Sequence, residues 1–222
     1  MQPRLLLTSA VARLFRYVAL GDSTAVGVGA DFGGGYPERL FQRMRAQGWH
    51  VGLLNLGQSG AVSRDVLNTQ VPKAISVSPH LITLGIGSND LWRLVAEDTY
   101  GQTLTAIADG LASTGARLVV CNLVDLGHAP VAKRAIDWLN LSPALISERV
   151  AGFNRHLAAL ATRPNVTVVD LHSLGERELR DRADFFSADG FHPSGAGYQR
   201  WAELTWPAVE AAYRAAAPQL AG

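Results

Sequence analysis

The sequence predicts a three-layer α/β fold: a parallel sheet with helices packed on both faces. Three observations predict it. Five apolar runs rich in Val, Ile and Leu recur along the chain, and each is continuous rather than alternating, as in strands buried on both faces. Stretches with helical periodicity separate the runs, and strand–helix alternation implies parallel strands joined by right-handed crossovers. Polar and glycine-rich motifs follow the runs, where sheets of this kind bind ligands.

The first run, RYVALG (16–21), ends in GDS (21–23), and YPERLFQRMRAQG (36–48) follows as a helix. HVGLLNLG (50–57) leads into GQSG (57–60), and RDVLNTQVPKAI (64–75) reads as the next helix. HLITLGIG (80–87) runs into GSND (87–90), followed by a helix over DTYGQTLTAIADGLASTG (98–115). The fourth run, RLVVCNLV (117–124), opens into a long loop, VDLGHAPVAKRAIDWLN (124–140). The helix SPALISERVAGFNRHLAALATR (142–163) carries Leu145, Val150, Phe153, Leu157 and Leu160 near a 3.6-residue period. NVTVVDLH (165–172) is the fifth strand, and DGFHPSG (189–195) comes after a connecting stretch. The last helix runs from about Gly197 through WAELTWPAVEAAYRAAA (201–217), with Pro207 expected to kink or interrupt it.

Nothing divides the 222 residues, which read as one domain with residues 1–15 as an N-terminal extension and leading helix. Hydrophobic residues make up 48% and charged residues 18%, enough apolar material for a substantial core. The net charge of +1 shows no basic stripe, so nucleic acid and anionic membrane surfaces are poor partners. Cys121, the only cysteine, excludes an internal disulfide and a Cys-rich metal site; in RLVVCNLV it reads as a buried apolar residue. No apolar stretch reaches the roughly 18 to 20 residues of a membrane span. MQPRLLLTSAVARLF contains a cleavage-like Ala10-Val11-Ala12 but is shorter than the ~15–30 residues of a signal peptide. A cytoplasmic location is the expectation, with secretion the alternative; the oligomeric state is left open.

GDSTAVGVGA (21–30) admits two chemistries. As a dinucleotide cradle it has Gly27 and Gly29, but Phe32 stands where the third glycine belongs, and no Lys supplies a P-loop. As a nucleophile turn it offers Ser23, which needs a base held in the right tautomer. Ala25 breaks the G-x-S-x-G pattern, and Asp22 or Ser23 could serve as a helix cap instead. Among six histidines, His50 and His80 sit at strand starts, His156 in a helix and His128 in the loop after the fourth strand. Asp170 and His172 could share a strand face as a rival pair. His192 is the stronger base, because Asp189 three residues earlier can reach its Nδ1–H and leave Nε2 for a serine. Gly60 can offer a backbone N–H to an oxyanion, Asn89 a side-chain amide and Ser23 its own N–H. Ser59 is a rival nucleophile without its own elbow.

Together, Gly21-Asp22-Ser23, Asn55-Leu56-Gly57-Gln58-Ser59-Gly60, Gly87-Ser88-Asn89-Asp90 and Asp189-Gly190-Phe191-His192 resemble, in order, the four blocks of the SGNH hydrolases, the GDSL esterase/lipase family. The resemblance spans residues 17 to about 200. It implies a flavodoxin-like sheet of five parallel strands in the order 2-1-3-4-5. It also implies Ser23 as nucleophile, His192 as base and then acid, and Asp189 as the residue orienting His192. Ser23 N–H, Gly60 N–H and Asn89 would form the oxyanion hole, and no metal or organic cofactor is implied. Thr24 replaces the leucine that gives the family its name, which bears on substrate more than on chemistry. The expected function is hydrolysis of small-molecule carboxylic esters. Acyl transfer or thioester hydrolysis through the same acyl-enzyme is the alternative, and a flavodoxin-like binding domain is the non-enzymatic one. Trp92, Trp138, Phe185, Phe186 and Phe191 are candidates for an acyl pocket.

Overall fold

A computed structural model describes residues 13–132, 141–178 and 182–220. Most of the N-terminal extension, expected as a leading helix, and Trp138 lie outside the described residues. Five strands, β1 (Phe15–Gly21), β2 (Val51–Asn55), β3 (Leu81–Gly85), β4 (Arg117–Cys121) and β5 (Val166–Val169), form one parallel sheet. Their spatial order is β2-β1-β3-β4-β5, the order the resemblance implied. The described helices are α1 (Ser23–Val26), α2 (Tyr36–Ala46), α3 (Ser63–Asp65), α4 (Val71–Ser76), α5 (Ser88–Trp92), α6 (Glu97–Ala112), α7 (Pro143–Ala159), α8 (Leu171–Glu178) and α9 (Gly195–Leu220).

Alternate strand residues point to opposite faces, and both faces are apolar. Val18, Leu20, Ile82, Leu84, Leu118 and Val120 pack with α6 and α7. Tyr17, Ala19, Leu81, Val119 and Cys121 pack with α2 and α9. This two-sided burial is why the strand runs are continuous. β3, at the centre, is buried along its whole length, whereas the edge strand β2 is partly exposed.

The sheet is shorter than the apolar runs. β4 stops at Cys121 and β5 at Val169, and the remaining residues of each run leave the sheet to build the rim. Leu145 is exposed and Ile146 takes the buried position in α7. Pro207 does not interrupt α9, which is unbroken from Gly195 to Leu220. Proline inside a helix costs about 3 kcal/mol, but α9 buries Tyr198, Ala202, Trp206, Val209 and Ala212 against the sheet. At about 25 cal/mol per Å², that stripe outweighs the lost bond.

The helix expected over 64–75 contains a π-helical turn, Val66–Gln70, in which Val71 N–H bonds the Val66 carbonyl. Pro72 follows immediately and has no N–H to continue an α-helical ladder, so the chain widens before it. The widened turn carries the buried Gln70 toward the end of β1.

Candidate active site

The end of β1 is fixed before Ser23 begins. Gly21 has φ 147°, and a Cβ there would lie 2.3 Å from the Gly85 carbonyl oxygen, an approach only glycine allows. Gln70 grips the same residue: its Oε1 accepts from Gly21 N–H at 2.9 Å and its Nε2 donates to Gly21 O at 2.8 Å. Asp22 then caps α1, its Oδ1 accepting from Thr24 N–H at 2.9 Å and from the Thr24 hydroxyl at 2.8 Å. The cap therefore falls to Asp22, and the hydroxyl of Ser23, first residue of α1, is left for another partner.

Burial pushes the Asp22 carboxyl up to about 6, against the Thr24 hydrogen bonds and the nearby His192 and with the negative field of Asp90. An acid whose pKa rises on folding ionises first in the unfolded chain, so stability falls as pH climbs from about 4, the unfolded value, to about 6. Asp22→Asn keeps an oxygen for Thr24 and removes the titration. Its denaturation midpoint is expected to lose this fall between pH 4 and 6, a gain on the order of 3 kcal/mol at pH 7. Parallel pH profiles for the two proteins would contradict that account.

The partner of Ser23 comes from the loop ahead of α9. Ser194 N–H bonds Phe185 O and Ser187 N–H bonds His192 O, both at 2.8 Å, so the loop closes on itself. Val131 N–H bonds Gly190 O at 3.0 Å and ties it to the loop after β4. Asp189 Oδ1 accepts from the N–H groups of Phe191 and His192 and from the Ser187 hydroxyl, while Oδ2 lies 2.5 Å from His192 Nδ1. His192 Nε2 lies 2.9 Å from Ser23 Oγ. Partial burial works against the Asp189 charge, but these hydrogen bonds, led by the one from His192, hold its carboxyl well below the usual range. With Oδ2 accepting from Nδ1–H, the unprotonated Nε2 faces the serine hydroxyl.

Gly60 sits in the turn after β2, and Asn89 in the first turn of α5, after β3. Gly60 has φ 79°, which favours glycine. Three struts, two from α5 and one from Arg93 just beyond it, fasten the Gly60 turn. Asn89 Nδ2 donates to Ala61 O at 2.9 Å, and one amide hydrogen remains for another acceptor. The buried Asp90 carboxylate accepts from Ser63 N–H at 2.9 and 3.1 Å and from its hydroxyl at 2.6 Å. Arg93 Nη2 donates to Gly60 O at 2.8 Å. Sequence reasoning missed Gln70, Ser63, Asp90 and Arg93 as supports. A buried glutamine amid VLNTQVP was the one available signal.

The rivals resolve otherwise. β5 ends before Asp170, and His172 lies in α8, so the two share no strand face. Asp170 Oδ1 instead accepts from Ser173 N–H and Asn122 Nδ2. Ser59 lies in an exposed turn. His80 Nδ1 accepts from Arg16 N–H, His128 pairs with Asp125, and His156 faces Glu97. Phe185, Phe186 and Phe191 line a cavity of about 100 Å³ that includes His192 in its wall. Trp92 packs edge-on to Phe191 at 6.1 Å and is not part of that wall. Among the described residues no group of three or more His, Cys, Asp or Glu could hold a metal ion, and no helix is long and apolar enough to cross a membrane.

A parallel sheet whose first strand ends at a serine, in one hydrogen-bonded line with a histidine and an aspartate from the loop ahead of the last helix, has the layout of a serine hydrolase. The chain belongs to the GDSL-like lipase/acylhydrolase family, whose profile matches residues 19–200, and it is a carboxylic ester hydrolase. It is 23% identical to the esterase TesA of Pseudomonas aeruginosa over 87% of each chain. It is 24% identical to the spore germination lipase LipC of Bacillus licheniformis, over 85% of this chain and 93% of LipC. A crystal structure of TesA superposes with a TM-score of 0.72 at 23% identity, covering 89% of this chain and 99% of TesA. A family 3 carbohydrate esterase from Clostridium thermocellum superposes with a TM-score of 0.71 at 20% identity, covering 92% and 100%.

Proposed function

We propose that this ester hydrolase works in two steps through an acyl-enzyme on Ser23. The observation that carries the reading is the unbroken line from Ser23 Oγ to His192 Nε2 at 2.9 Å and from His192 Nδ1 to Asp189 Oδ2 at 2.5 Å. Ser23 Oγ attacks the ester carbonyl carbon and passes its proton to Nε2. The carbonyl oxygen becomes an alkoxide that accepts from Ser23 N–H, Gly60 N–H and the free amide hydrogen of Asn89. His192 returns the proton to the leaving oxygen, the C–O bond breaks, and the alcohol departs. Water then gives a proton to Nε2 and attacks the acyl carbon, and the acid leaves as Ser23 regains its proton. Asp189 stays ionised throughout and holds the imidazolium.

Acyl transfer or thioester hydrolysis would use the same covalent intermediate and differ only in the second nucleophile or the leaving atom. An alkyl fluorophosphonate is expected to add one equivalent to Ser23, read by peptide mass mapping, and to stop p-nitrophenyl acetate turnover. Labelling at Ser59, or inhibition without a label, would overturn the assignment. A primary alcohol added during turnover distinguishes a transferase, which would yield the new ester in place of free acid.

A further inference from the structure

We infer that the cavity beside His192 receives the acyl chain of the substrate and selects short, unbranched apolar acyl groups over both acetyl and polar ones. This rests on the acyl-enzyme reading of Ser23. The cavity adjoins the reacting groups: His192 forms part of its wall, as do Thr24 and Ser88, the chain neighbours of Ser23 and Asn89. From there Gly197, Arg200, Trp201 and Leu204 supply a second wall, a spacing that puts all four on one face of α9. Leu123, Leu126, Leu171 and Phe185, each under 10% exposed, add to its apolar lining.

Most of the polar side chains in this wall are already bonded within the protein. Thr24 donates its hydroxyl to Asp22. Asn122 spends its carbonyl on Leu171 N–H and His172 N–H and its amide on Asp170. Arg200 and Glu178 form a two-point ion pair at 2.7 and 2.9 Å. A sugar ring or a second carboxylate entering here would lose more hydrogen bonds to water than this mostly apolar wall can replace, at a cost that disfavours it. An alkyl chain loses nothing by the same move, and the half-buried Val124, Phe186, Phe191, Trp201 and Leu204 gain cover from it.

The order of steps decides which end of the ester takes this space. The alcohol leaves first and water must replace it at His192, so the alcohol side needs an open path to solvent. The acyl group stays on Ser23 through both steps and can occupy a recess lined by buried side chains. A cavity of about 100 Å³ holds a chain of about four to six carbons.

The test is kcat/KM for two series, p-nitrophenyl esters of linear acids from acetate to dodecanoate and acetates of linear alcohols. In the acyl series kcat/KM is expected to rise about four-fold per added methylene as far as hexanoate, then to fall, since each buried methylene is worth that factor. Leu204→Trp, which fills the recess, is expected to lower the hexanoate-to-acetate ratio at least ten-fold. Val124→Phe, at another lining position, does the same and serves if the first variant does not fold. Leu204→Ala moves the optimum to a longer acid. A flat or falling acyl series, a gain confined to the alcohol series, or equal losses on acetate and hexanoate in both filling variants would each overturn the inference. These failures are separable from failure of the Ser23 reading, because a wild-type enzyme labelled at Ser23 with a flat acyl series contradicts the pocket alone.

Discussion

Ser23→Ala is expected to lower kcat for p-nitrophenyl acetate by on the order of 10⁶-fold, the scale of losing a nucleophile, while the protein stays folded. The two halves of that expectation have different causes. Activity goes because the only atom removed, Oγ, is the one bonded to His192 Nε2 at 2.9 Å. Fold survives because the cap of α1 is made by Asp22 and the end of β1 is held by Gln70; neither depends on the hydroxyl. Circular dichroism and a thermal melt alongside the kinetics check both halves. Near-normal turnover by a folded Ser23→Ala protein would remove the basis of the mechanism.

Asp189→Asn should cost about 10⁴-fold in kcat with little change in KM. The asparagine oxygen can still accept from Phe191 N–H, His192 N–H and the Ser187 hydroxyl, so the loop keeps its shape. What changes is the group facing His192 Nδ1, which becomes an N–H donor. The imidazole must then accept at Nδ1 and carry its proton on Nε2, where it cannot take one from Ser23. The charge has a second, smaller readout. A carboxyl held below its unfolded value of about 3.9 stabilises the fold above that pH, and the contribution is lost as pH falls through the folded value. The variant is expected to show a shallower loss of stability on the acid side, measured by denaturant titration. A loss in KM rather than kcat would mean that Asp189 shapes the substrate site and does not orient the base.

Much of this was legible in the chain. The strands declared themselves because burial on both faces leaves no polar alternation in runs such as HLITLGIG. The contact between Asp189 and His192 was legible because its geometry is local: three residues separate them, and Gly190 allows the turn between them. The strand ends were over-read at Asn122 and Asp170, since apolar residues continue past the sheet to line the rim. The supports of the site were hidden for a different reason. Gln70 reaches Gly21 across 49 residues and Asp90 reaches Ser63 across 27, and such pairings depend on how α3, α4 and α5 dock. The π-turn that aims Gln70 follows from Pro72, but nothing local says which residue will face the sheet.

The histidine loop closes through its own backbone and side chains, whereas its one bond to the nucleophile spans 169 positions. The contact between Asp189 and His192 is thus local, whereas the one between His192 and Ser23 needs the first strand and the segment ahead of the last helix to be in place together. Turnover during refolding should then lag behind the recovery of helical signal, and it should be abolished by loss of the C-terminal segment even in chains whose sheet has assembled. Activity would then serve as a readout of a long-range contact, one that local structure alone does not supply.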